Sequence, residues 1–301
     1  MHAVEVSGLT KRYGKVVGVD SLTFSVPEGC IFGFLGANGA GKTTTIRLLL
    51  GLIFPSEGNI RIFDQEITPR TVDIWRSIGY LPGELRLYED MVGEDLLDLY
   101  ASFHRRGSVW RDRALDTLEL PRRDLRRRVR EYSTGMKQKL GLVQALQHRP
   151  HLLILDEPTV SLDPLMRRNF HHVLKAVRAE GTTVLMSSHD LSEVERCCEW
   201  AAIIRDGRLL SVRSLYDPSE QRPFEIIVTF STPVQQVDLP NVEVRHENGN
   251  RMVLQVTGDL RPVLRRLAEL PVIDLECRRV SLEHIFLAHY GRAREGDEPR
   301  V

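Results

Sequence analysis

Hydrophobic and polar positions along this chain change their spacing several times, and each change predicts a different element. Residues 4–9 alternate in a way typical of an edge strand, and residues 21–26 alternate again, so the two predict a small antiparallel layer. The continuous apolar run 30–35 predicts a buried strand, and residues 44–50 predict a helix directly after it. The chain thus opens with an antiparallel layer and then a strand, a loop and a helix.

Strand and helix patterns alternate in the next part of the chain. Residues 58–62 and 78–82 predict strands. Over about 90–147, apolar residues recur at helical spacing, which predicts a helical subdomain inserted into an α/β core. Four consecutive aliphatic residues at 152–155 predict a strand covered on both faces, as in a parallel sheet.

The pattern changes character beyond about residue 217. Strands are predicted at 224–230, 242–244, 252–256 and 272–277, with a hairpin turn at 248–250 and helices at 261–270 and 281–287. We therefore expect a larger α/β domain over 1–217, a small α+β domain over 218–291 and a frayed tail over 292–301. The small domain has either a regulatory or dimer-supporting role or a purely packing one.

Composition narrows the classes of protein that fit. The 301 residues carry 41 basic and 41 acidic side chains, so no global field draws the protein to nucleic acid or to an anionic membrane. The arginine-rich run 122–130 fits a solvated helix face better than a nucleic-acid contact, since no aromatic residues are interleaved with it. Four cysteines without a CxxC pair favour a reduced, cytosolic compartment. No stretch approaches the roughly 18 apolar residues of a membrane helix, and no apolar signal region is seen at the N-terminus.

A glycine-rich loop between the buried strand and its helix is the first candidate site. It has the sequence Gly36, Ala37, Asn38, Gly39, Ala40, Gly41, Lys42, Thr43 and Thr44. Three glycines let backbone N–H groups turn inward around phosphates, and the helix that begins near Lys42 adds the positive end of its dipole. Lys42 then supplies a full charge to the outer phosphates, and the Thr43 hydroxyl is the expected ligand of a magnesium ion.

Two carboxylates follow the buried strand 152–155, where open α/β sheets bind ligands. Asp156 is expected to hold magnesium through its water shell, and Glu157 to orient or deprotonate the attacking water. Pro158 biases Glu157 toward an extended backbone. A second strand, 182–186, ends just before His189, a candidate sensor of the outer phosphate.

The order of these motifs resembles the ATP-binding subunits of ABC transporters. In that resemblance, Tyr13 matches the aromatic residue that stacks on adenine, although a packing role fits its local sequence equally well. Residues 36–43 match the Walker A loop and 152–157 match Walker B. Residues 161–163 resemble the D-loop, and His189 falls on the switch histidine. The resemblance covers about residues 1 to 215.

The family signature, usually written LSGGQ, is matched by residues 132–136. Ser133, Thr134, Gly135 and Met136 begin a helix and form an anion site with no phosphate of its own. The resemblance implies that this site, with Asp163, contacts the nucleotide of a second subunit in a head-to-tail dimer. It further implies a P-loop NTPase core of the RecA type, ATP and Mg²⁺ as cofactors, and ATP hydrolysis coupled to transport.

Two departures from the family pattern stand out. Thr134 and Met136 replace the commoner Gly and Gln of the signature. After residues 80–82, where the family usually has a glutamine that touches magnesium, the chain has Gly83 and Glu84. Glu84 is the candidate that supplies an oxygen to the metal from the next position.

The functional prediction is an ATPase subunit of an exporter, which forms a homodimer and attaches to a separate membrane permease at the cytoplasmic face of the membrane. Nucleic acid is not expected as a partner. Two alternatives stay open: an ABC-type ATPase that acts on ribosomes or DNA, and a regulatory module that binds ATP without hydrolysing it. Residues that would contact a transported compound belong to the permease, so this chain does not identify the compound.

Overall fold

The computed structural model of the chain describes residues 1–104, 106–160, 162–215, 223–234 and 242–279, with only the backbone described at 245–248 and 279. Two separate units divide the chain, Met1–Tyr216 and Asp217–Val301.

The N-terminal unit contains ten strands among its described residues. In chain order they are β1 (His2–Tyr13), β2 (Val16–Pro27), β3 (Ile31–Leu35), β4 (Glu57–Ile62), β5 (Gln65–Glu66), β6 (Ile78–Leu81), β7 (Leu152–Leu155), β8 (Thr183–Ser188), β9 (Trp200–Arg205) and β10 (Arg208–Ser214). Its α-helices are α1 (Lys42–Leu49), α2 (Gly93–Ser102), α3 (Arg111–Thr117), α4 (Arg122–Leu125), α5 (Thr134–Leu146), α6 (Pro164–Ala179) and α7 (Leu191–Cys197). Short 3₁₀ helices cover Asp73–Ser77 and Val129–Glu131.

The antiparallel layer has the strand order β2-β1-β4-β5. Val4, Val6 and Leu9 of β1 are buried, as the alternating pattern predicts. The interpretation of β1 as an edge strand is wrong, since β1 pairs with β2 on one side and β4 on the other. Alternation of apolar and polar residues indicates that one face of the sheet is solvated, and an inner antiparallel strand has such a face as well.

The central sheet has the order β10-β9-β3-β8-β7-β6, with β9, β3, β8, β7 and β6 parallel and β10 antiparallel at its edge. All residues of β3, β7 and β8 are buried, which explains the unbroken apolar run of β7 and the lack of alternation in the other two strands. Because β3, β8 and β7 are neighbours, the loops after their C-terminal ends meet at one edge of the sheet. This architecture confirms the α/β fold class.

Helices α2 to α5 lie in the region where the sequence predicts a helical subdomain. Arg122 of the basic run pairs with Asp112 at 2.9 Å and with Asp116 at 2.8 Å. Arg130 pairs with Asp90 at 3.1 Å. These arginines therefore form ion pairs on a solvated surface of the subdomain.

The described residues of the C-terminal unit form an antiparallel sheet and one helix. Its elements are β11 (Phe224–Phe230), β12 (Val242–Asn248), β13 (Arg251–Val256), α8 (Arg261–Ala268) and β14 (Val272–Arg279), and the strand order is β12-β13-β11-β14. Val263 and Leu267 of α8 belong to the same buried cluster as Ile226 and Leu254 of the sheet. The predicted helix over 281–287 and the tail over 292–301 lie outside the described residues.

Across the described ranges of both units, each helix is either too short or too polar to span a membrane.

Candidate functional site

The glycine-rich loop connects β3 to α1 and is closely packed. Gly41 has φ 105°, a backbone conformation that residues other than glycine rarely adopt. A Cβ atom on Gly41 would lie 2.9 Å from the carbonyl oxygen of Gly18, and one on Gly36 would lie 2.6 Å from that of Ile204. The loop can therefore hold its shape only with glycine at these two positions.

Lys42 begins α1 and folds back across the loop. Its side chain is only 5% exposed, and its Nζ donates to the carbonyl oxygens of Gly36 at 2.6 Å and Ala37 at 3.1 Å. The same Nζ lies 3.0 Å from Glu157 Oε1. A buried ammonium group is stable only when it is paired, and here backbone oxygens and one carboxylate provide the partners.

A cavity of about 770 Å³ opens above this loop. It brings together most of the residues that the sequence singles out, namely Tyr13, Asn38, Gly39, Gly41, Lys42, Thr43, Thr44, Glu84, Asp156, Glu157 and His189. Gly36, Ala37 and Ala40 form the body of the loop and do not line it. The volume lies within the range of about 300–1,000 Å³ that is usual for small-molecule and cofactor sites.

Asp156 follows β7 and is 2% exposed. Its Oδ1 accepts a hydrogen bond from Ser187 Oγ at 2.6 Å, and the same Oγ accepts one from the Glu157 backbone N–H at 2.9 Å. One hydroxyl thus fixes both carboxylate residues from the neighbouring strand β8. Our sequence reasoning missed Ser187, although two hydroxyl residues at the end of an apolar strand beside His189 were a signal for it.

The backbone of Glu157 differs from the sequence prediction. Its φ is 49°, in the left-handed region, whereas the following proline favours an extended conformation. Such a conformation costs on the order of 1–3 kcal/mol and persists only where the surroundings impose it. The hydrogen bond from its N–H to Ser187 and the contacts of its carboxylate provide that restraint.

The Glu157 carboxylate is held from two sides. Oε1 faces Lys42, and Oε2 shares a hydrogen bond of 2.5 Å with His189 Nδ1. A carboxylate between an ammonium group and an imidazole is fixed in position at the cavity wall. It lies where it can accept a proton or orient a polar molecule.

Tyr80 also lines the cavity and was missed by our sequence reasoning as a site residue. Burial, followed by the negative charge of Asp156, raises the pKa of Tyr80 to about 12. The phenol therefore stays neutral at physiological pH.

Glu84, the candidate metal ligand, lies in the cavity wall but is exposed. Its Oε1 accepts hydrogen bonds from Arg86 Nη2 at 2.7 Å and Nε at 3.2 Å. The preceding residue, Gly83, packs closer to the buried carboxylate, since a Cβ on it would lie 3.5 Å from Asp156 Oδ2. Glu84 is thus paired with Arg86.

The signature residues lie at the start of α5, away from the cavity wall. Ser133 is the N-cap of α5, and its Oγ accepts from the Met136 N–H at 3.2 Å. Ser133 and Thr134 are exposed, and a Cβ on Gly135 would meet no atom within 4 Å. This helix start is therefore open to solvent on the surface of the N-terminal unit.

Two further contacts connect the signature and D-loop regions to the fold. Asp163 is the N-cap of α6, and its Oδ1 accepts from the Met166 N–H at 2.8 Å. Ser161 of the D-loop match lies outside the described residues. Gln138 of α5, which our sequence reasoning missed, donates through Nε2 to the Pro158 carbonyl at 3.0 Å. The signature helix is thus bonded to the segment that follows Glu157.

Comparisons with known proteins agree with this geometry. The family model described as ABC transporter matches residues 19–160. The bacitracin transport ATP-binding protein of Bacillus licheniformis is 41% identical over 214 residues, covering 69% of this chain and 68% of that protein. The Nod factor export ATP-binding protein I of Paraburkholderia xenovorans is 36% identical over 298 residues, covering 96% of this chain and 97% of that protein.

A solved structure of an ATP-binding subunit of an ABC transporter aligns with a TM-score of 0.66 and 32% identity, covering 71% of this chain and 90% of that one. The fold and the loop, carboxylate and histidine positions define a P-loop ATPase. The chain belongs to the ABC transporter family, as an ATP-binding subunit.

Proposed function

We propose that this chain hydrolyses ATP as one of two identical subunits and drives a separate permease that exports its substrate. The observation that carries this proposal is the Glu157 carboxylate, held between Lys42 and His189 in the wall of the large cavity. ATP binding draws Lys42 away from Glu157 to the outer phosphates, which leaves the carboxylate free to orient the attacking water. His189 remains bonded to Glu157 and senses the outer phosphate.

The residues at the cavity fit a magnesium ion. Mg²⁺ in nucleotide sites takes one or two protein oxygens and completes its shell with phosphates and water. Asp156, buried in the cavity wall, and the Thr43 hydroxyl supply oxygens of that kind. When bound by these residues, Mg²⁺ would help to neutralise the charge that develops on the phosphates. Glu84 is a further candidate ligand, provided that it leaves Arg86.

The open start of α5 supports a dimer of identical subunits. Ser133, Thr134 and Gly135 present backbone N–H groups and hydroxyls on the surface rather than in this chain's own cavity. A second copy, arranged head to tail, would place its nucleotide there. Asp163, at the exposed start of α6, would lie at the same interface.

Relatives support the export direction and a membrane partner. The names of two of them refer to bacitracin transport and to Nod factor export. By analogy, ATP binding closes the dimer of this protein, hydrolysis opens it, and the permease changes its access state with each cycle. The subunit would then lie at the cytoplasmic face of the membrane, attached through the permease.

The test is an affinity pull-down from detergent-solubilised native membranes, with the Glu157→Gln protein as bait. ATP and Mg²⁺ favour the closed dimer in this variant, and the same bait without nucleotide is the control. We expect a membrane protein with several spans to be recovered. Recovery of ribosomes or DNA-bound proteins in its place would contradict the transporter proposal and favour the mechanical alternative.

A further inference from the structure

A second, smaller cavity lies in the N-terminal unit, with a volume of about 210 Å³. Two of its wall residues, Ser77 and His151, directly precede β6 and β7. The large cavity follows the C-terminal ends of the same strands, which run parallel. The two cavities therefore lie at opposite edges of the central sheet.

The wall of the small cavity carries an excess of positive charge. Arg76, Arg106 and Arg149 line it together with a single carboxylate, Asp73. Arg76 Nη1 lies 3.7 Å from Asp73 Oδ1, and Arg149 Nε lies 3.3 Å from Glu180 Oε2. Arg106 Nη1 donates to the Arg149 carbonyl at 3.3 Å, and no carboxylate within the described part of the chain pairs with it.

Glu180 compensates little of this charge, because it also serves other groups. Its Oε2 accepts from Trp110 Nε1 at 3.0 Å, and its Oε1 is bonded to Arg113. One carboxylate thus faces two guanidinium groups and an indole. Guanidinium groups in such excess favour an anionic ligand with several oxygens, since their planar donors match phosphate geometry.

His148 is the second, independent feature of this wall. It is 2% exposed, and neither ring nitrogen has a side-chain hydrogen-bond partner among the residues that the structure describes. The His104 ring stacks on it with centroids 3.5 Å apart and an interplanar angle of 10°, and His104 Nδ1 is bonded to the Arg76 carbonyl at 3.1 Å. A buried imidazole without a side-chain partner carries part of the desolvation cost of its polar ring.

The protonation state of His148 agrees with a positive cavity. Burial, and then the charges of His104 and Arg106, lower the pKa of His148 to about 3, while a hydrogen bond with the backbone of Ile78 acts in the opposite direction. His148 is therefore neutral at physiological pH and can donate one N–H. An anion in the cavity would supply the negative charge that the arginines lack.

We propose that this cavity binds a small phosphate-class dianion, independently of the nucleotide site. The guanidinium groups of the three arginines make the contacts with the anion, and the neutral His148 ring lies in the same wall. A metal ion does not fit, because one carboxylate faces three arginines. The volume falls below the usual range of about 300–1,000 Å³ for larger ligands, so free phosphate or a phosphate headgroup fits better than a nucleotide.

The test is calorimetric titration of the full chain with inorganic phosphate. A non-hydrolysable ATP analogue and Mg²⁺ fill the large cavity first, so that phosphate cannot bind there. Chloride at matched ionic strength corrects for screening. We expect one phosphate per chain, and an affinity at least about tenfold lower when Arg106→Gln and Arg149→Gln remove two charge-assisted donors.

Arg123→Gln is the matched control, since Arg123 lies on the exposed surface of α4 and outside the cavity wall. The melting temperature and the affinity for the ATP analogue report whether each variant stays folded. Equal phosphate affinity in the double variant and the wild type, or an equal loss in the Arg123→Gln control, would overturn the proposal.

A second arm identifies the source of the phosphate. Phosphatidylcholine vesicles with and without phosphatidic acid present the same dianion as a lipid headgroup. Binding to free phosphate indicates a soluble ligand, and binding only to phosphatidic acid vesicles indicates a lipid. Whichever of the two is observed, binding must be weaker in the double variant. If the wild type binds neither free phosphate nor phosphatidic acid vesicles, the proposed site is contradicted.

Discussion

Two helices of the N-terminal unit begin with groups suited to an anion, and they are built in opposite ways. The start of α1 lies inside a cavity, with Lys42 5% exposed and bonded to the loop and to Glu157. The start of α5 lies on the surface, with Ser133 as its cap and no cationic side chain among residues 133–136. A Cβ on Gly41 would meet backbone at 2.9 Å, whereas one on Gly135 would meet nothing within 4 Å.

The difference shows which helix start is complete within one chain. The start of α1 has its own counter-charge and a packed loop, so it can bind phosphates alone. The start of α5 offers N–H groups and hydroxyls but no packed surroundings and no charge. It becomes a site only when another surface covers it, which is what the proposed dimer provides.

The largest expected effect is on hydrolysis at the complete site. We predict that Glu157→Gln slows ATP turnover by at least ~10²-fold, the scale lost with one preorganised catalytic group. Steady-state phosphate release measures this, with nucleotide affinity expected to remain. Glu28→Gln, at an exposed position after β2, is the matched control. Turnover near the wild-type rate in Glu157→Gln would refute the role assigned to this carboxylate.

The next effect concerns binding. Lys42→Ala removes the ammonium group that we expect on the outer phosphates and leaves Glu157 without its cationic partner. Truncating one partner of a buried, hydrogen-bonded charge pair costs about 2–5 kcal/mol. For the pair that Lys42 forms with the outer phosphates, we therefore predict an ATP affinity lower by at least about 30-fold. Titration of a fluorescent ATP analogue checks this. An unchanged affinity would mean that the loop does not bind phosphates as described.

A smaller effect is expected at the open helix start. Gly135→Ala has room for its Cβ and should keep or slightly raise stability, by about 0.5–1 kcal/mol for an alanine within a helix. If a second subunit's phosphate approaches this glycine, hydrolysis should fall about tenfold, equal to roughly 1.4 kcal/mol. Nucleotide affinity of the single chain should not change.

Gly41→Ala is the contrasting variant, since it should lose nucleotide affinity through strain and contact with the loop backbone. Melting temperature, affinity and turnover, measured for both glycine variants, separate the two helix starts. Full turnover in Gly135→Ala at protein concentrations that allow dimers would contradict the contact between subunits.

Much of the complete site could be predicted from sequence because its determinants are local. The strand, loop and helix around residues 36–43 are contiguous, and an unbroken apolar run predicts the position of Asp156 at a strand end. His189 follows a second predicted strand. Neighbouring parallel strands then bring these ends together without further information.

The rest depends on contacts between distant segments. The left-handed backbone of Glu157 contradicts the local rule for a residue before proline, because Ser187, Lys42 and His189 hold it from other elements. Gln138 reaches Pro158 across 20 positions in the chain. The contact between Glu84 and Arg86 lies close in sequence but depends on how an exposed loop folds. Tyr13, which local sequence leaves open between stacking and packing, is 46% exposed in the cavity wall.

Tyr13 gives the smallest expected effect and separates base from phosphate recognition at the complete site. Lys11 Nζ lies 5.4 Å from the centre of its ring, so one face is already used and the gain from stacking should be modest. We predict that Tyr13→Ala lowers ATP affinity roughly fivefold, the lower end of about 1–3 kcal/mol per stacked base. Tyr13→Phe should bind like the wild type because it keeps the ring.

The same titration with inorganic triphosphate sharpens this last prediction, since triphosphate has no base to stack. Tyr13→Ala should leave the affinity for triphosphate unchanged, whereas Lys42→Ala should lower the affinity for both triphosphate and ATP. A loss of triphosphate affinity in Tyr13→Ala would mean that the ring packs the end of β1 against the phosphate loop. The ring lies close to Gly18, since a Cβ atom built on Gly18 would be 3.0 Å from it. In that case the aromatic residue supports the loop and does not recognise the base.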